Sequence, residues 1–251
     1  MRQSLVVGNW KMHGSRAAVK DLLGDLLSGM EAVADNVDVA VCPTAMHLGL
    51  ATKTLQNSPI ELGAQNVHSR PEGAYTGEIS APMLADYNVK YVIVGHSERR
   101  AYFAESDELV AEKFSAVQAE ALTPILCLGE SLQQRQEGIT DQVILGQLDA
   151  VLEAAGISAF DNAVIAYEPV WAIGTGQTAT PDQAQEVHQL IRGHLAGADN
   201  SIAAQIRVIY GGSVKADNAN ELFSRQDIDG GLVGGAALKA SEFISICKSV
   251  D

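Results

Sequence analysis

Eight short apolar runs, separated by stretches with helical periodicity, limit what this chain can fold into more than any other feature. The runs lie at residues 5–7, 37–42, 60–64, 89–94, 122–128, 163–167, 206–210 and 230–233. Short apolar runs of this kind are typical of strands buried on both faces, as in parallel sheets. Because strands and helical segments alternate to the end of the chain, the sequence predicts a series of parallel βα units.

The eight units are predicted to close into a barrel. They could also form an open doubly wound sheet, but about 250 residues is the typical length of the barrel. The open sheet normally carries a glycine fingerprint after its first strand, and this chain has Gly8, Asn9, Trp10 and Lys11 there instead. No proline-rich linker interrupts the series. We therefore expect residues 1–251 to form one (β/α)8 domain, an eight-stranded parallel barrel with outer helices.

Three helix starts are marked by capping residues. Ser106 and Asp217 are each predicted to cap a helix. Between them, Thr180 and Gln183 form a capping box, with Pro181 at the first helical position. Apolar positions follow Ser106 at spacings of three and four, at Val110, Phe114, Val117 and Ala121.

Composition and charge narrow the range of partners. The formal net charge is −14, which argues against nucleic acid, because that ligand demands a basic surface. Any anionic ligand must therefore be held by local donors. The three cysteines show neither metal-ligand spacing nor a paired framework. Since the sequence has no secretory leader and no apolar run long enough for a bilayer, we expect a cytoplasmic protein without a membrane partner or a metal.

Polar residues follow the predicted strands at the end where barrels build their active sites. Asn9 and Lys11 follow the first run, His96 the fourth and Glu168 the sixth. A carboxylate at a strand end is a candidate general base, and a lysine supplies a fixed positive charge for an oxyanion. His96 precedes a predicted helix start, where the helix dipole disfavours its cation, so it is predicted to donate as a neutral imidazole.

Glycines follow the last two strands, at residues 211–212 and 234–235. Backbone amides exposed there, beside a helix N-terminus, form the usual phosphate site of a barrel. A base, two electrophilic donors and a phosphate site together indicate enolisation of a small phosphorylated carbonyl compound. None of these groups indicates a nucleotide cofactor.

The loop after Glu168 is predicted to be a lid. Pro169 ends the strand, because proline has no amide proton for the ladder. An apolar, glycine-rich segment able to move and to exclude water is what proton abstraction from carbon requires. The lid comprises Pro169, Val170, Trp171, Ala172, Ile173, Gly174, Thr175 and Gly176.

Seven segments occur in order over essentially the whole chain: GNWKM (8–12), GAQN (63–66), GAYTGE (73–78), VGHSERR (94–100), AYEPVWAIGTG (166–176), YGGSV (210–214) and LVGGA (232–236). Together they resemble the segments of the triosephosphate isomerases. The bacterial members are the closer match, as in CLGES (127–131) and DIDGGLVGGA (227–236). The resemblance implies a TIM-barrel enzyme of glycolysis and gluconeogenesis that needs no cofactor. Its expected reaction is the interconversion of dihydroxyacetone phosphate and D-glyceraldehyde 3-phosphate through an enediolate.

The resemblance also implies a role for each site residue. Glu168 moves a proton between neighbouring carbons, while His96, Lys11 and Asn9 stabilise the enediolate oxygens. The phosphate is expected on the backbone amides of Gly174, Ser213, Gly234 and Gly235. Ser97 and Glu98 are expected beside the site, with Glu98 organising the lysine, whereas Arg99, Arg100 and Cys127 are interpreted as structural.

A homodimer is the further implication of the resemblance. The loop of residues 65–78 is expected to dock into a second subunit, where Thr76 reaches the neighbouring active site near Asn9 and Lys11. Three residues depart from the common pattern without removing a catalytic group, namely His13, Asn88 and Ala237. Asparagine at position 88 tolerates the left-handed conformation expected there.

Two other functions stay open at this point. One is a phosphosugar aldolase that uses Lys11 as a Schiff base, and the other is a barrel kept only for binding or as a scaffold. Borohydride trapping on Lys11 distinguishes the first, and a coupled isomerase assay distinguishes the second.

Overall fold

A computed structural model describes residues 2–175 and 177–250. Within them, eight parallel strands close into a barrel in sequence order, so the predicted (β/α)8 fold is confirmed. The predicted strand ends agree with the observed ones to within two residues, and Asn9 is the last residue of its strand. The strands are β1 (Ser4–Asn9), β2 (Val37–Cys42), β3 (Ile60–Ala64), β4 (Tyr91–Val94), β5 (Thr123–Leu128), β6 (Val164–Tyr167), β7 (Arg207–Tyr210) and β8 (Gly230–Val233).

The barrel closes where β1 pairs with β8, in a register that sets Leu5 opposite Gly230. Gly230 has φ +125°, and a Cβ atom on it would lie 2.1 Å from the carbonyl oxygen of Leu5. Only glycine combines that backbone conformation with so close an approach. The first and last strands can therefore complete the hydrogen-bonded ring.

Eleven α-helices lie among the described residues and surround the barrel. They are α1 (Arg16–Gly29), α2 (Leu48–Thr54), α3 (Ala81–Asp86), α4 (Ser97–Phe103), α5 (Asp107–Ala119), α6 (Leu132–Gln136), α7 (Thr140–Ala155), α8 (Pro181–Ala198), α9 (Asn200–Gln205), α10 (Ala219–Phe223) and α11 (Ala240–Cys247). Among these helices, none is long and apolar enough to cross a bilayer.

The capping predictions were correct for two helices and wrong for the third. Ser106 accepts a hydrogen bond from the amide of Leu109, and Thr180 forms its capping box with Gln183. Asp217 does not cap α10, because Asn218 occupies the N-cap position. The side chain of Asn218 instead accepts from the amide of Lys215.

The apolar face predicted after Ser106 also extends one residue too far. Val110, Phe114 and Val117 are buried on α5. Ala121 lies beyond the end of this helix, is exposed and has φ +58°. A residue in that left-handed conformation cannot continue a right-handed helix.

Two hydrophobic layers hold the fold together. Side chains alternate along each strand, so Leu5 and Val7 lie inside the barrel while Val6 packs outward against the helices. Cys42 and Cys127 belong to the inner layer. Burial raises the pKa of both thiols, which suits a packing role and leaves the carboxyl ends of the strands for chemistry.

Candidate active site

A cavity of about 470 Å³ lies at the carboxyl ends of the strands. Every residue predicted to act in catalysis or in substrate binding lines it. These residues are Asn9, Lys11, His96, Glu168, Gly174, Ser213, Gly234 and Gly235. They come from five of the eight strand ends and are brought together only by closure of the barrel.

Glu168 is fully buried directly after β6, with 1% of its surface exposed. A buried carboxylate needs hydrogen-bond donors, and two neighbouring residues supply them. Its Oε2 accepts a hydrogen bond of 2.9 Å from the amide of Ser97. Its Oε1 lies 3.0 Å from His96 Nε2. The candidate base therefore contacts the candidate electrophile directly.

The contacts of His96 define its tautomer. His96 is the N-cap residue of α4, and its Nδ1 accepts a hydrogen bond of 3.1 Å from the amide of Glu98. An accepting Nδ1 carries no proton, so the imidazole is neutral and its proton is on Nε2. This proton is directed at Glu168 Oε1, 3.0 Å away.

Lys11 is held in a strained conformation. Its φ of +48° is unusual for a residue with a side chain and costs roughly 1–2 kcal/mol. The amide of Lys11 donates to Asn9 Oδ1, and its carbonyl oxygen accepts a 2.8 Å hydrogen bond from Gln65. Its Nζ lies 2.6 Å from Glu98 Oε1. These contacts fix both the backbone and the ammonium of the lysine.

Two glycines leave room for Glu168. A Cβ atom on Gly211 would lie 2.8 Å from Glu168 Cγ, and one on Gly129 would lie 2.1 Å from the carbonyl oxygen of Glu168. Both distances are shorter than the separation of about 3.5 Å at which non-bonded heavy atoms normally pack. The position of the base therefore depends on the absence of side chains at both sites.

The predicted phosphate-binding residues line the same cavity. Gly234 precedes a single 3₁₀ turn, Gly235–Leu238, so its neighbouring amides point toward the cavity end of that turn. The Lys11 side chain passes close to Gly234, since a Cβ atom built on Gly234 would lie 3.4 Å from Lys11 Cε. The Ser213 hydroxyl donates a hydrogen bond of 2.8 Å to the carbonyl oxygen of Ala172. The loop after β7 is thus connected to the predicted lid beside the cavity.

Comparison with known proteins identifies the family. A family model described as Triosephosphate isomerase matches residues 4–250. The triosephosphate isomerases of Nitrosococcus oceani and Thiobacillus denitrificans are each 55% identical to this chain over 249 residues, which is 99% of each sequence. That of Salmonella paratyphi B is 53% identical over 251 residues, covering 100% of this chain and 98% of the relative. The chain belongs to the triosephosphate isomerase family.

In this member of the triosephosphate isomerase family, the start of the predicted lid is anchored on Glu130. The Glu130 carboxylate is fully buried and accepts hydrogen bonds from Tyr167 OH at 3.1 Å and from Trp171 Nε1 at 2.8 Å. The backbone carbonyl oxygen of Glu130 accepts a hydrogen bond from the amide of Val170. Residues 170–172 form a 3₁₀ turn on this support. Gly176, the last residue of the predicted lid, lies outside the described residues.

The remaining predicted residues lie around the cavity. Ser97 and Glu98 contact Glu168 and Lys11 as described above, while Thr76 is exposed in the long loop of residues 65–78. Arg99 pairs with Glu105, and Arg100 pairs with Asp107. In the part of the chain that the structure describes, no group of three or more His, Cys, Asp or Glu residues could hold a metal.

Sequence reasoning missed Glu130 and Gln65 as residues that support the site. Both follow strands, β5 and β3, so the rule that found Glu168 and His96 would also have found them. Tyr210 was also missed. Its hydroxyl is buried without a hydrogen-bond partner among the described residues, and burial raises the pKa of Tyr210 to about 12. No pattern in the sequence indicated that the hydroxyl of Tyr210 is buried.

Proposed function

We propose that this chain interconverts dihydroxyacetone phosphate and D-glyceraldehyde 3-phosphate through an enediolate. The observation that carries the proposal is one cavity that holds a buried carboxylate, a neutral histidine donor, a lysine ammonium and the backbone of four phosphate-site residues. Membership of the triosephosphate isomerase family supports the same reaction. Such an activity belongs to glycolysis and gluconeogenesis.

The first step exchanges hydrogen bonds. Without substrate, the Nε2 proton of His96 is directed to Glu168. A bound substrate places its carbonyl oxygen where it accepts that proton, which releases one carboxylate oxygen of Glu168. The carboxylate then removes a proton from the neighbouring carbon and later returns it to the other carbon. For the atoms to balance, the hydroxyl proton of the substrate must also move to the former carbonyl oxygen. Glu168 carries the carbon-bound proton, and the oxygen-bound proton passes between the two enediolate oxygens beside His96 Nε2.

His96 and Lys11 lower the barrier at the oxygens. A carboxylate is a weak base for a carbon acid, so donors must stabilise the enediolate as it forms. Loss of one such donor costs roughly 3–4 kcal/mol in the transition state. Asn9 supports this arrangement because its Oδ1 holds the amide of Lys11 at 3.1 Å.

The lid couples phosphate binding to catalysis. Gly174 lies on the lid and lines the same cavity as Gly234 and Gly235. A phosphate that bridges these backbones draws the lid over the cavity, so energy from the non-reacting part of the substrate is used at the reacting carbon. A closed lid excludes water and hinders loss of phosphate from the enediolate.

The aldolase alternative is disfavoured by the contacts of Lys11. A Schiff-base lysine must act as a free amine, whereas the Lys11 ammonium lies 2.6 Å from Glu98. Borohydride reduction in the presence of substrate should trap no adduct on Lys11. A trapped adduct would favour the aldolase.

A coupled isomerase assay in both directions tests the proposal. Glu168→Gln should lower kcat by about 10²–10⁴-fold, the usual contribution of a general base. Glu242→Gln is the matched control, because Glu242 lines the same cavity without a role in the steps above. Absence of activity in the wild-type protein, or equal losses in the two variants, would reject the assignment.

We also propose that the chain works as a homodimer through the loop of residues 65–78. A second cavity, of about 570 Å³, lies beside Lys11 and is lined by Met12, Tyr102 and Phe103. The exposed fractions of these side chains are 92%, 79% and 65%. Large exposed apolar side chains grouped in this way are typical of protein interfaces. Residues 71–78 are all exposed, and the same loop of a second copy is the expected occupant.

The single domain of residues 1–251 and the cytoplasmic location are proposals as well. One closed sheet with strands from both ends of the chain supports the first. The three cysteines are free and buried, which is compatible with a reducing compartment.

A further inference from the structure

Helix α7 carries a polar residue on its apolar face. Ile144, Leu148 and Val151 of this helix are fully buried against the barrel. Gln147 lies on the same stripe, three residues after Ile144 and four before Val151. A polar side chain that faces the core needs hydrogen-bond partners there.

The side chain of Gln147 binds one backbone residue at both of its polar groups. The amide of Gly129 donates to Gln147 Oε1 at 2.9 Å, and Gln147 Nε2 donates to the carbonyl oxygen of Gly129 at 3.0 Å. Strand β5 ends at Leu128, so Gly129 is the first residue beyond it. The side chain of Gln147 therefore satisfies the backbone amide and carbonyl of Gly129, the first residue beyond the hydrogen-bonded part of β5.

Gly129 in turn supports the backbone of Glu168. The amide of Glu168 donates to the carbonyl oxygen of Leu128 at 2.7 Å. A Cβ atom on Gly129 would lie 2.1 Å from the carbonyl oxygen of Glu168 and 3.2 Å from Glu168 Cβ. At such close packing, a displacement of Gly129 is transmitted to Glu168.

The residue after Gly129 is Glu130, which anchors the start of the lid through Val170 and Trp171. A single short segment thus supports both the base and the first turn of the lid. Gln147 fixes Gly129 of this segment to helix α7, while Arg135 of helix α6 binds the carboxylate of Glu130.

We propose that Gln147 is a positioning residue that sets the placement of Glu168 and the lid through Gly129. This inference rests on the proposed isomerase function. Gln147 does not line the cavity, so it acts through the backbone and not on the substrate. An amide is required because one donor and one acceptor must face the same residue.

Two variants separate shape from hydrogen bonding. Gln147→Met has a similar length but can neither donate to nor accept from Gly129 in the same way. Gln147→Glu keeps the acceptor and, as a carboxylate, directs a second oxygen at the carbonyl of Gly129. Since a misplacement of about 1 Å at a reacting group can cost about 100-fold in rate, we expect kcat to fall at least ten-fold in both.

Gln118→Met is the matched control. Gln118 is also half-buried, and its Nε2 also ties two backbone carbonyl oxygens, those of Ala159 and Asn162, away from the cavity. We expect its loss to lower the melting temperature comparably while kcat stays within two-fold of wild type. In the Gln147 variants, KM and the inhibition constant of inorganic phosphate should change less than kcat, because three of the four predicted phosphate-binding residues follow β7 and β8, outside the segment that Gln147 holds.

Hydrogen exchange gives a readout that needs no activity. The amides of Gly129 and Glu168 should lose protection in Gln147→Met and keep it in Gln118→Met. An inactive wild-type protein would reject the proposed function while leaving the exchange result to decide the positioning role. Unchanged protection at Glu168, or a kcat loss in Gln118→Met equal to that in Gln147→Met, would overturn the inference. Failure of Gln147→Met to fold leaves Gln147→Glu to decide it by the same measurements.

Discussion

Substitution of Gly211 by alanine should displace the base without unfolding the barrel. The new Cβ atom would lie 2.8 Å from Glu168 Cγ and 3.1 Å from the carbonyl oxygen of Tyr167. That oxygen accepts the amide of Gly211 at 2.7 Å, so the backbone is held in place. The φ of Gly211 is outside the left-handed region, and alanine can adopt it. The Glu168 side chain must therefore move.

The size of the movement follows from the contact distance. Ordinary contact begins at 3.4 Å, so Glu168 Cγ must retreat by 3.4 − 2.8 = 0.6 Å. A misplacement of about 1 Å can cost about 100-fold in rate. For the smaller displacement we expect kcat to fall about 10- to 100-fold, which corresponds to about 1.4–2.7 kcal/mol in the transition state.

The coupled isomerase assay measures this loss, with circular dichroism and a thermal melt as checks on folding. Gly146→Ala is the control, because a Cβ atom on Gly146 meets nothing within 4 Å. Alanine should stabilise helix α7 there by up to about 1 kcal/mol without changing kcat. A folded Gly211→Ala protein with kcat within two-fold of wild type would refute the dependence of Glu168 on this glycine.

Three other predictions concern the lid, the interface and pH. Gly174→Pro removes an amide and cannot adopt the observed φ of +69°, so turnover should fall while the melting temperature of the barrel stays unchanged; full activity would contradict the lid. Phe103→Glu should weaken the proposed dimer, seen as a lower mass in solution and as specific activity that rises with protein concentration; a fully active monomer would contradict it. Burial lowers the pKa of His188 from 6.5 to about 4. As the pH falls, this histidine is therefore protonated at a higher pH in the unfolded chain than in the folded protein, which favours unfolding. Urea denaturation should show up to about 3 kcal/mol of stability lost between pH 6.5 and 4, and the same loss in His188→Gln would exclude this histidine as its source.

Much of the fold and site could be predicted because both depend on local patterns. Alternation of apolar runs and helices predicts the barrel, and closure of the barrel brings strand-end residues together. The rule that strand ends carry chemistry finds Glu168, His96 and Lys11 without further information. Asn88 was expected in the left-handed conformation, and its φ is +55°.

The contacts that orient these residues could not be predicted, because they join distant parts of the chain through single atoms. Gly211 shapes the environment of Glu168 only after β6 and β7 have paired. The helical spacing of Ile144, Gln147 and Val151 places Gln147 on the buried stripe of α7, but no sequence pattern indicates that it meets Gly129. The capping error at Asp217 has a more local cause, since Asn218 is also a good capping residue and no pattern distinguishes the two.

Pairing of β1 with β8 has a consequence for how the chain can be rearranged. Each βα unit returns the chain to the face opposite the cavity, so β1 starts and α11 ends on that face, where α11 packs against α1 and β1. The first strand and the last helix of the described residues thus pack together, and an arrangement of this kind favours circular permutation. Joining them by a short linker and opening the chain at the exposed residues 34–36 should give a permuted enzyme whose strand order around the ring is unchanged.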